Sequence, residues 1–178
     1  NLVVTVSPVP VADASDEIIC SGESTAIAIT NPNAVAGTTY TWTAAAANVN
    51  GASNGSGNTI SQLLTSADGT TNGTVTYTIT PSANGCPGPT FDVTATVKPV
   101  PVMNNSAVSY AQQICSNEAL SFTPSATIGG ATFSWTASIS GPINGASVTA
   151  AGSGSITDAP APDPGAASRD DAPGGSPR

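Results

Sequence analysis

The sequence contains no histidine, and only three of its 178 residues, Lys98, Arg169 and Arg178, are basic. The first absence removes the Ser-His-Asp and Cys-His arrangements of nucleophilic catalysis, which need an imidazole to move a proton. No closely spaced carboxylate pair recurs to take over as acid and base. The second absence leaves nothing to neutralise a phosphate backbone at a formal net charge of −8, so nucleic acid is excluded as a partner. No apolar run approaches the roughly 18 residues of a membrane-spanning helix. No basic-then-apolar leader opens the chain, which is read as starting after processing or within a longer protein. Aromatic residues make up 4% and charged residues 8% of the chain, so each core must be thin and built from Val, Ile, Leu and one Trp. Three cysteines without a histidine point to an oxidising compartment more than to a metal site.

What the sequence does contain is a repeat. Thr39-Tyr40-Thr41-Trp42-Thr43-Ala44 returns as Thr132-Phe133-Ser134-Trp135-Thr136-Ala137. In each copy an aromatic residue, a Trp and an Ala alternate with hydroxyl residues, a period of two that predicts a half-buried strand with Trp42 and Trp135 inward. Cys115 answers Cys20 (115 − 20 = 95), and Ile143-Asn144-Gly145-Ala146-Ser147 answers Val49-Asn50-Gly51-Ala52-Ser53 (143 − 49 = 94). Thr74 to Thr80 is the strongest strand, with Val75, Tyr77 and Ile79 inward, and Asn84-Gly85 turns the chain towards Phe91 to Val97. About seven short strands with no helical period predict an antiparallel β-sandwich for residues 8–98. A second sandwich spans 99–157 and is truncated: from Asp158 to Arg178 the chain has no Val, Ile, Leu or aromatic residue. Residues 158–178 are therefore expected to be a disordered Pro/Gly/Ala/Asp-rich tail that cannot be a sandwich strand, and a frameshift or a cloning scar is the favoured origin for it. Leu2-Val3-Val4-Thr5-Val6 runs into Ser7-Pro8-Val9-Pro10 as Phe91 to Val97 runs into Lys98-Pro99-Val100-Pro101. Residues 1–7 thus read as the last strand of a preceding repeat or as a donor strand, and Pro-Val-Pro as an extended linker.

Ile-Cys-Ser-Gly-Glu, Tyr-Thr-Trp-Thr, Gly-Ala-Ser-Asn-Gly-Ser-Gly, Val-Thr-Tyr-Thr-Ile-Thr-Pro, Asn-Gly-Cys and the closing Val-Lys-Pro-Val-Pro occur in that order. Over residues 1–157 this pattern resembles the PKD-like, immunoglobulin-like modules repeated in tandem in large secreted surface proteins of Bacteroidota. Trp42-Thr43-Ala44 and Trp135-Thr136-Ala137 stand where classical PKD domains carry Trp-x-Phe-Gly-Asp-Gly, which places the chain with the divergent type. The resemblance implies an all-β fold of two tandem immunoglobulin-like β-sandwich domains, the second incomplete, in an extracellular spacer or adhesive array. It transfers no catalytic residue and no cofactor.

Each feature that would carry chemistry has a plainer reading beside it. Cys20 and Cys86 flank the strong strands, and a disulfide between them would tie two ends of the sandwich, contributing roughly 4 kcal/mol by loop closure. The alternative is two buried free thiols. Cys115 is left as an unpaired thiol, since its mate would fall near 86 + 95 = 181. Asp13, Asp16, Glu17 and Glu23 offer oxygen ligands to calcium, but no Asp-x-Asp-x-Asp-Gly loop accompanies them, and solvated surface charge is the better reading, so no metal is assigned. Asn54, Asn72 and Asn104 head glycosylation-type triplets that such a composition produces by chance. Gly55-Ser56-Gly57 precedes no helix and is not a phosphate loop. The Thr74, Thr76, Thr78, Thr80 row offers a hydroxyl face for ice or sugar, or simply the outside of a neutral strand. Surface glycans would need an exposed aromatic platform, for which Tyr110 is the one candidate. The expected partners are neighbouring repeats or identical subunits, the latter through Leu2, Val4 and Val6 inserted into the second domain of a neighbour. That would build a head-to-tail filament.

Overall fold

Thr39–Ala47, Gly73–Ala83 and Phe91–Lys98 are each written in period two, and each is a strand. A computed structural model describes residues 1–4, 6–104, 118, 120–135, 143–144, 156–158 and 161–162, which divide into two units, Asn1–Pro101 and Val102–Arg178. Every helix or strand among them is a strand. In chain order the first unit contains Glu17–Cys20 (β1), Glu23–Ser24 (β2), Ile27–Ala28 (β3), Thr39–Ala47 (β4), Val49–Asn50 (β5), Gly55–Ser56 (β6), Thr59–Ile60 (β7), Leu63–Ser66 (β8), Gly73–Ala83 (β9), Cys86–Pro87 (β10) and Phe91–Lys98 (β11).

The larger sheet runs β1-β11-β9-β4-β6, with β10 folded back on β9. Opposite it lie β2-β8-β5, β3-β7 and an isolated bridge between Asp13 and Thr30. Apolar side chains from both layers meet in one core, with Ile19, Tyr40, Trp42, Val75, Tyr77, Ile79, Val93, Ala95 and Val97 from the larger sheet and Ile27, Ile29, Val49, Ile60 and Leu64 from the smaller. β9 is the central strand: it pairs with β4 from Ala47↔Thr74 to Thr39↔Ser82 and with β11 from Val97↔Gly73 to Phe91↔Ile79. Its inward residues Val75, Tyr77 and Ile79 are completely buried. Asn84 and Gly85, at φ of 53° and 79°, form the tight turn that only such residues make cheaply, joining β9 to β10. One pairing departs from the antiparallel expectation. β1 runs parallel to β11, Glu17 opposite Ala95 and Cys20 opposite Lys98, because the chain crosses from the Asp13↔Thr30 bridge in one sheet to the edge of the other.

Residues Leu2, Val3, Val4 and Val6 belong to no strand of this unit and are 92%, 83%, 74% and 87% exposed. The linker that follows them is held down. Asn33 receives a bond from the Val11 N–H at 3.2 Å and donates one to the Val9 carbonyl at 2.8 Å. Pro10 is buried, its carbonyl so close to Gly88 that a Cβ there would lie 1.9 Å away.

In the second unit Leu120–Phe122 (β12) pairs antiparallel with Ile156–Asp158 (β14), and Ile143–Asn144 (β13) with Ala161–Pro162 (β15). These are counterparts of the smaller sheet: β13-β15 repeats β5-β8, in which Val49 faces Ser66 and Asn50 faces Thr65. Met103↔Ala126 likewise repeats the Asp13↔Thr30 bridge. Two expectations are corrected by this. A ladder enters the stretch read as tail, since Ala161 and Pro162 need only backbone groups to pair, as the polar Thr65 and Ser66 do in the first unit. The rest of that stretch, 163–178, lies outside the described residues. Secondly, residues 131–135, expected to open a strand like β4, carry no ladder. A strand needs a partner for its N–H and C=O groups. Among the described residues none pairs with 131–135, and the window that answers β9 at an offset of 95, residues 168–178, lies outside them.

Candidate functional site

The residues that sequence reasoning placed in the core of the first unit, Trp42 and Tyr77, are 7% and 0% exposed and are joined through polar neighbours. The Tyr77 hydroxyl donates to Gln62 Oε1 at 2.9 Å, and the Trp42 Nε1–H donates to the Ser53 carbonyl at 3.3 Å. Gln62 closes the set, its Nε2 donating to the Ser53 carbonyl at 2.7 Å and its Oε1 accepting the Ser53 N–H at 3.0 Å. Each buried polar tip therefore has a partner, which is what lets two large aromatic side chains sit in so thin a core. Burial, and secondarily the charge of Glu17, push the Tyr77 phenol above its ordinary value, and burial does the same to Tyr40. Gly55 lies against the indole, where a Cβ would come within 2.5 Å of Trp42 Cζ2. Gln62 and Ser53 were not singled out from the sequence. The signal available was indirect, namely that a buried tyrosine requires an acceptor.

The disulfide expectation is corrected. Cys20 and Cys86 are free thiols, the first exposed and the second partly so. Cys20 ends β1 opposite Lys98, one step past the Val97↔Gly73 rung, whereas Cys86 pairs with Ala83. Ten residues of β9, from 73 to 83, separate those rungs, roughly 33 Å at strand rise, whereas bridged Cα atoms lie within about 7 Å. The parallel setting of β1 is the cause, for it carries Cys20 away from the β9-β10 turn. Cys115 and Tyr110 lie outside the described residues, and Trp135 is half-buried.

The carboxylates weighed as calcium ligands line or flank an open groove of about 420 Å³ between residues 13–17 and 26–30. Three of them are spent on backbone donors: Glu17 accepts the Ala26 N–H at 2.9 Å, Asp16 the Thr94 N–H at 2.8 Å and Glu23 the Cys20 N–H at 2.7 Å. They finish the ladder where the chain changes sheets, a role more definite than solvated charge. Among the described residues no group of His, Cys, Asp or Glu is placed to hold a metal ion.

A further carboxylate, not singled out in the sequence, organises the loop before β9. Asp68 accepts the Thr71 N–H at 2.9 Å, the Thr71 hydroxyl, and the Thr70 N–H at 2.8 Å, and with the Asn48 amide these hold its carboxyl well below the usual carboxylate range. Asn54, the first of the glycosylation-type residues, uses its Oδ1 to accept the Ala44 N–H at 2.9 Å and so plugs the edge of β4. The Thr74, Thr76, Thr78, Thr80 row faces outward along β9, with Thr41 and Thr43 of β4 and Thr94 and Thr96 of β11 beside it. That face carries hydroxyls and almost no charge.

Two facing strand layers around one apolar core, their polar groups used to close the fold, define an immunoglobulin-like β-sandwich module with no assembled catalytic set among the described residues. The chain belongs to the PKD-like domain family, which matches residues 17–101 and again 112–167. No curated protein and no solved structure matches it. Modules of this family are of the non-catalytic, extracellular type.

Proposed function

We propose that this chain is a structural or adhesive segment of a tandem array in a large secreted or cell-surface protein of the Bacteroidota. The observation that carries the reading is the recurrence of one module in line, at 17–101 and 112–167, with Pro-Val-Pro before each. The linker supports it: Asn33 fixes Val9 and Val11 in the first unit, and in the second the Val102 N–H donates to Thr127 Oγ1 at 3.2 Å. A module that grips the chain leading into it is suited to bearing load in a row. Electron microscopy of the native material, with intact mass on the same sample, tests this. Beaded rods longer than two modules at the cell surface are expected, and a compact intracellular particle would overturn the reading.

A second reading has an observation of its own, the four exposed apolar residues of the 2–6 segment. A strand-forming stretch without a sheet seeks an edge in another molecule. On this reading the chain is the subunit of a head-to-tail filament.

A further inference from the structure

Tension that enters the first unit along Pro8-Val9-Pro10 and leaves it along Pro99-Val100-Pro101 meets a few contacts before it meets a long strand pair. Asn33 holds Val9 and Val11, and the Asp13↔Thr30 bridge adds two backbone bonds of 3.1 and 2.8 Å. Beyond them the chain crosses to β1, whose four residues lie parallel to the end of β11, from Glu17↔Ala95 to Cys20↔Lys98. Both ends of this seam are closed. At one, Asp16 Oδ1 accepts the Thr94 N–H at 2.8 Å, and at the other the Ser21 N–H donates to the Lys98 carbonyl at 2.7 Å. Its inner face is covered, with Ile19, Ala95 and Val97 buried in the core. On its other side β11 is bound to β9 through seven registered pairs, and β9 to β4 through nine, so β11 is the firm base and β1 the edge.

The parallel direction decides how the seam is loaded. Tension reaches β1 at Glu17 and leaves β11 at Lys98, and because the two strands run the same way these points lie at opposite ends of the seam. The strands are pulled past each other, and the bonds between them share the load. An antiparallel β1 would put both points at one end, where the bonds would open one after another. We infer that the β1–β11 seam is the mechanical latch of this module, a parallel edge pair that keeps the core closed when the chain is stretched from linker to linker. On the reading of the chain as a segment of an array, on which this rests, the seam is what carries tension through the module. Carboxylates belong to the latch. Asp16 closes its loaded end, and Glu23, which accepts the Cys20 N–H at 2.7 Å, ties β1 to the turn that follows it.

The test pulls single molecules of the full chain in two directions. Handles at Val9→Cys and Val100→Cys, in a chain whose own three cysteines are replaced by Ser, load the seam lengthwise. Handles at Cys20 itself and Val100→Cys, with Cys86 and Cys115 replaced by Ser, load it from the Cys20↔Lys98 end. Val9, Cys20 and Val100 are all exposed, so the handles disturb no core. Sharing among the four registered pairs should raise the lengthwise rupture force above the end-on force by up to about fourfold. Asp16→Ala should lower the lengthwise force and leave the end-on force unchanged, since end-on opening begins at the far end from Thr94. Equal forces in the two directions overturn the latch and leave the array reading in place. An Asp16→Ala chain in which both forces fall alike overturns it too, because that marks a general loss of stability. A compact intracellular particle in electron microscopy would overturn the array reading and leave the force ratio standing.

Discussion

Tyr40-Thr41-Trp42 and Phe133-Ser134-Trp135 are nearly the same tripeptide, yet the first lies in a nine-residue strand with both aromatics buried, and the second carries no ladder and leaves both half-exposed. Local sequence cannot account for the difference. What differs among the described residues is the neighbour: β9 runs along the whole of β4 in the first unit, and no described strand pairs with 132–135 in the second. A period-two pattern states which face a residue would take if paired. It does not supply the partner, and β propensity is largely a measure of packing on neighbours.

The largest expected effect comes from making the first unit resemble the second. Tyr77→Ala removes the residue at the middle of β9 and leaves Gln62 Oε1 without the phenol. Loss of a buried aromatic costs about 3–5 kcal/mol, against a total of about 5–15 kcal/mol for a domain. The chain has two tryptophans, so acrylamide quenching reads the comparison directly. In the native chain one population should be protected and one accessible, and in Tyr77→Ala both should be accessible. Continued protection of Trp42 in the variant would show that β9 is not what buries it.

A smaller change acts on the same indole. Gly55→Ala would place a Cβ 2.5 Å from Trp42 Cζ2, and overpacking of this kind costs about 1–3 kcal/mol. Thermal unfolding of the first unit should move down by several degrees, at about 4–8 °C per kcal/mol for a domain of this size. An unchanged midpoint would mean that the Gly55-Trp42 approach is slack.

Much of this was legible in advance. The strands at Thr39, Gly73 and Phe91, the inward set of Val75, Tyr77 and Ile79, and the repeat itself follow from alternation and from residues that recur in order. The parallel β1-β11 pair was not, because the direction of an edge strand depends on where the chain crosses between sheets, and Asp13 and Asp16 give no local sign of it. Gln62, Ser53 and Asn33 escaped for a related reason. A polar side chain that serves a buried donor or a linker carbonyl tens of residues away looks, in sequence, like any surface amide. The strand expected at 132–137 carries no ladder over its described part, 132–135, because alternation alone says nothing of a partner.

Acid should separate the units next. Asp68 is fully exposed, but its carboxyl is held low by the Thr71 N–H and hydroxyl, the Thr70 N–H and Asn48. A carboxyl whose folded value lies below its unfolded value, near 4, contributes stability that is fully present above about pH 4 and is lost as pH falls further. Unfolding of the first unit, followed by far-ultraviolet circular dichroism, should therefore steepen below about pH 4. Asp68→Asn should flatten that dependence while lowering the midpoint at neutral pH only slightly. An identical acid slope in the variant would remove Asp68 from the account.

The smallest expected effect discriminates between two explanations of the same contrast. If a Cys20–Cys86 bridge stapled the first unit, the loop it closes would be worth roughly 4 kcal/mol, and the staple would by itself account for the better burial of Trp42. The geometry denies that explanation, because the two thiols sit at opposite ends of β9 and are free. Cys20→Ser changes an exposed residue at a strand end and should stay within about 0.5 kcal/mol of the unaltered chain. Maleimide should modify Cys20 in the folded protein, and Cys86 fully after unfolding, without any reductant. A loss of several kcal/mol in Cys20→Ser, or in the unaltered chain on adding reductant, would return the contrast to the staple. With neither loss, what distinguishes a buried Trp42 from a half-buried Trp135 is the strand beside it.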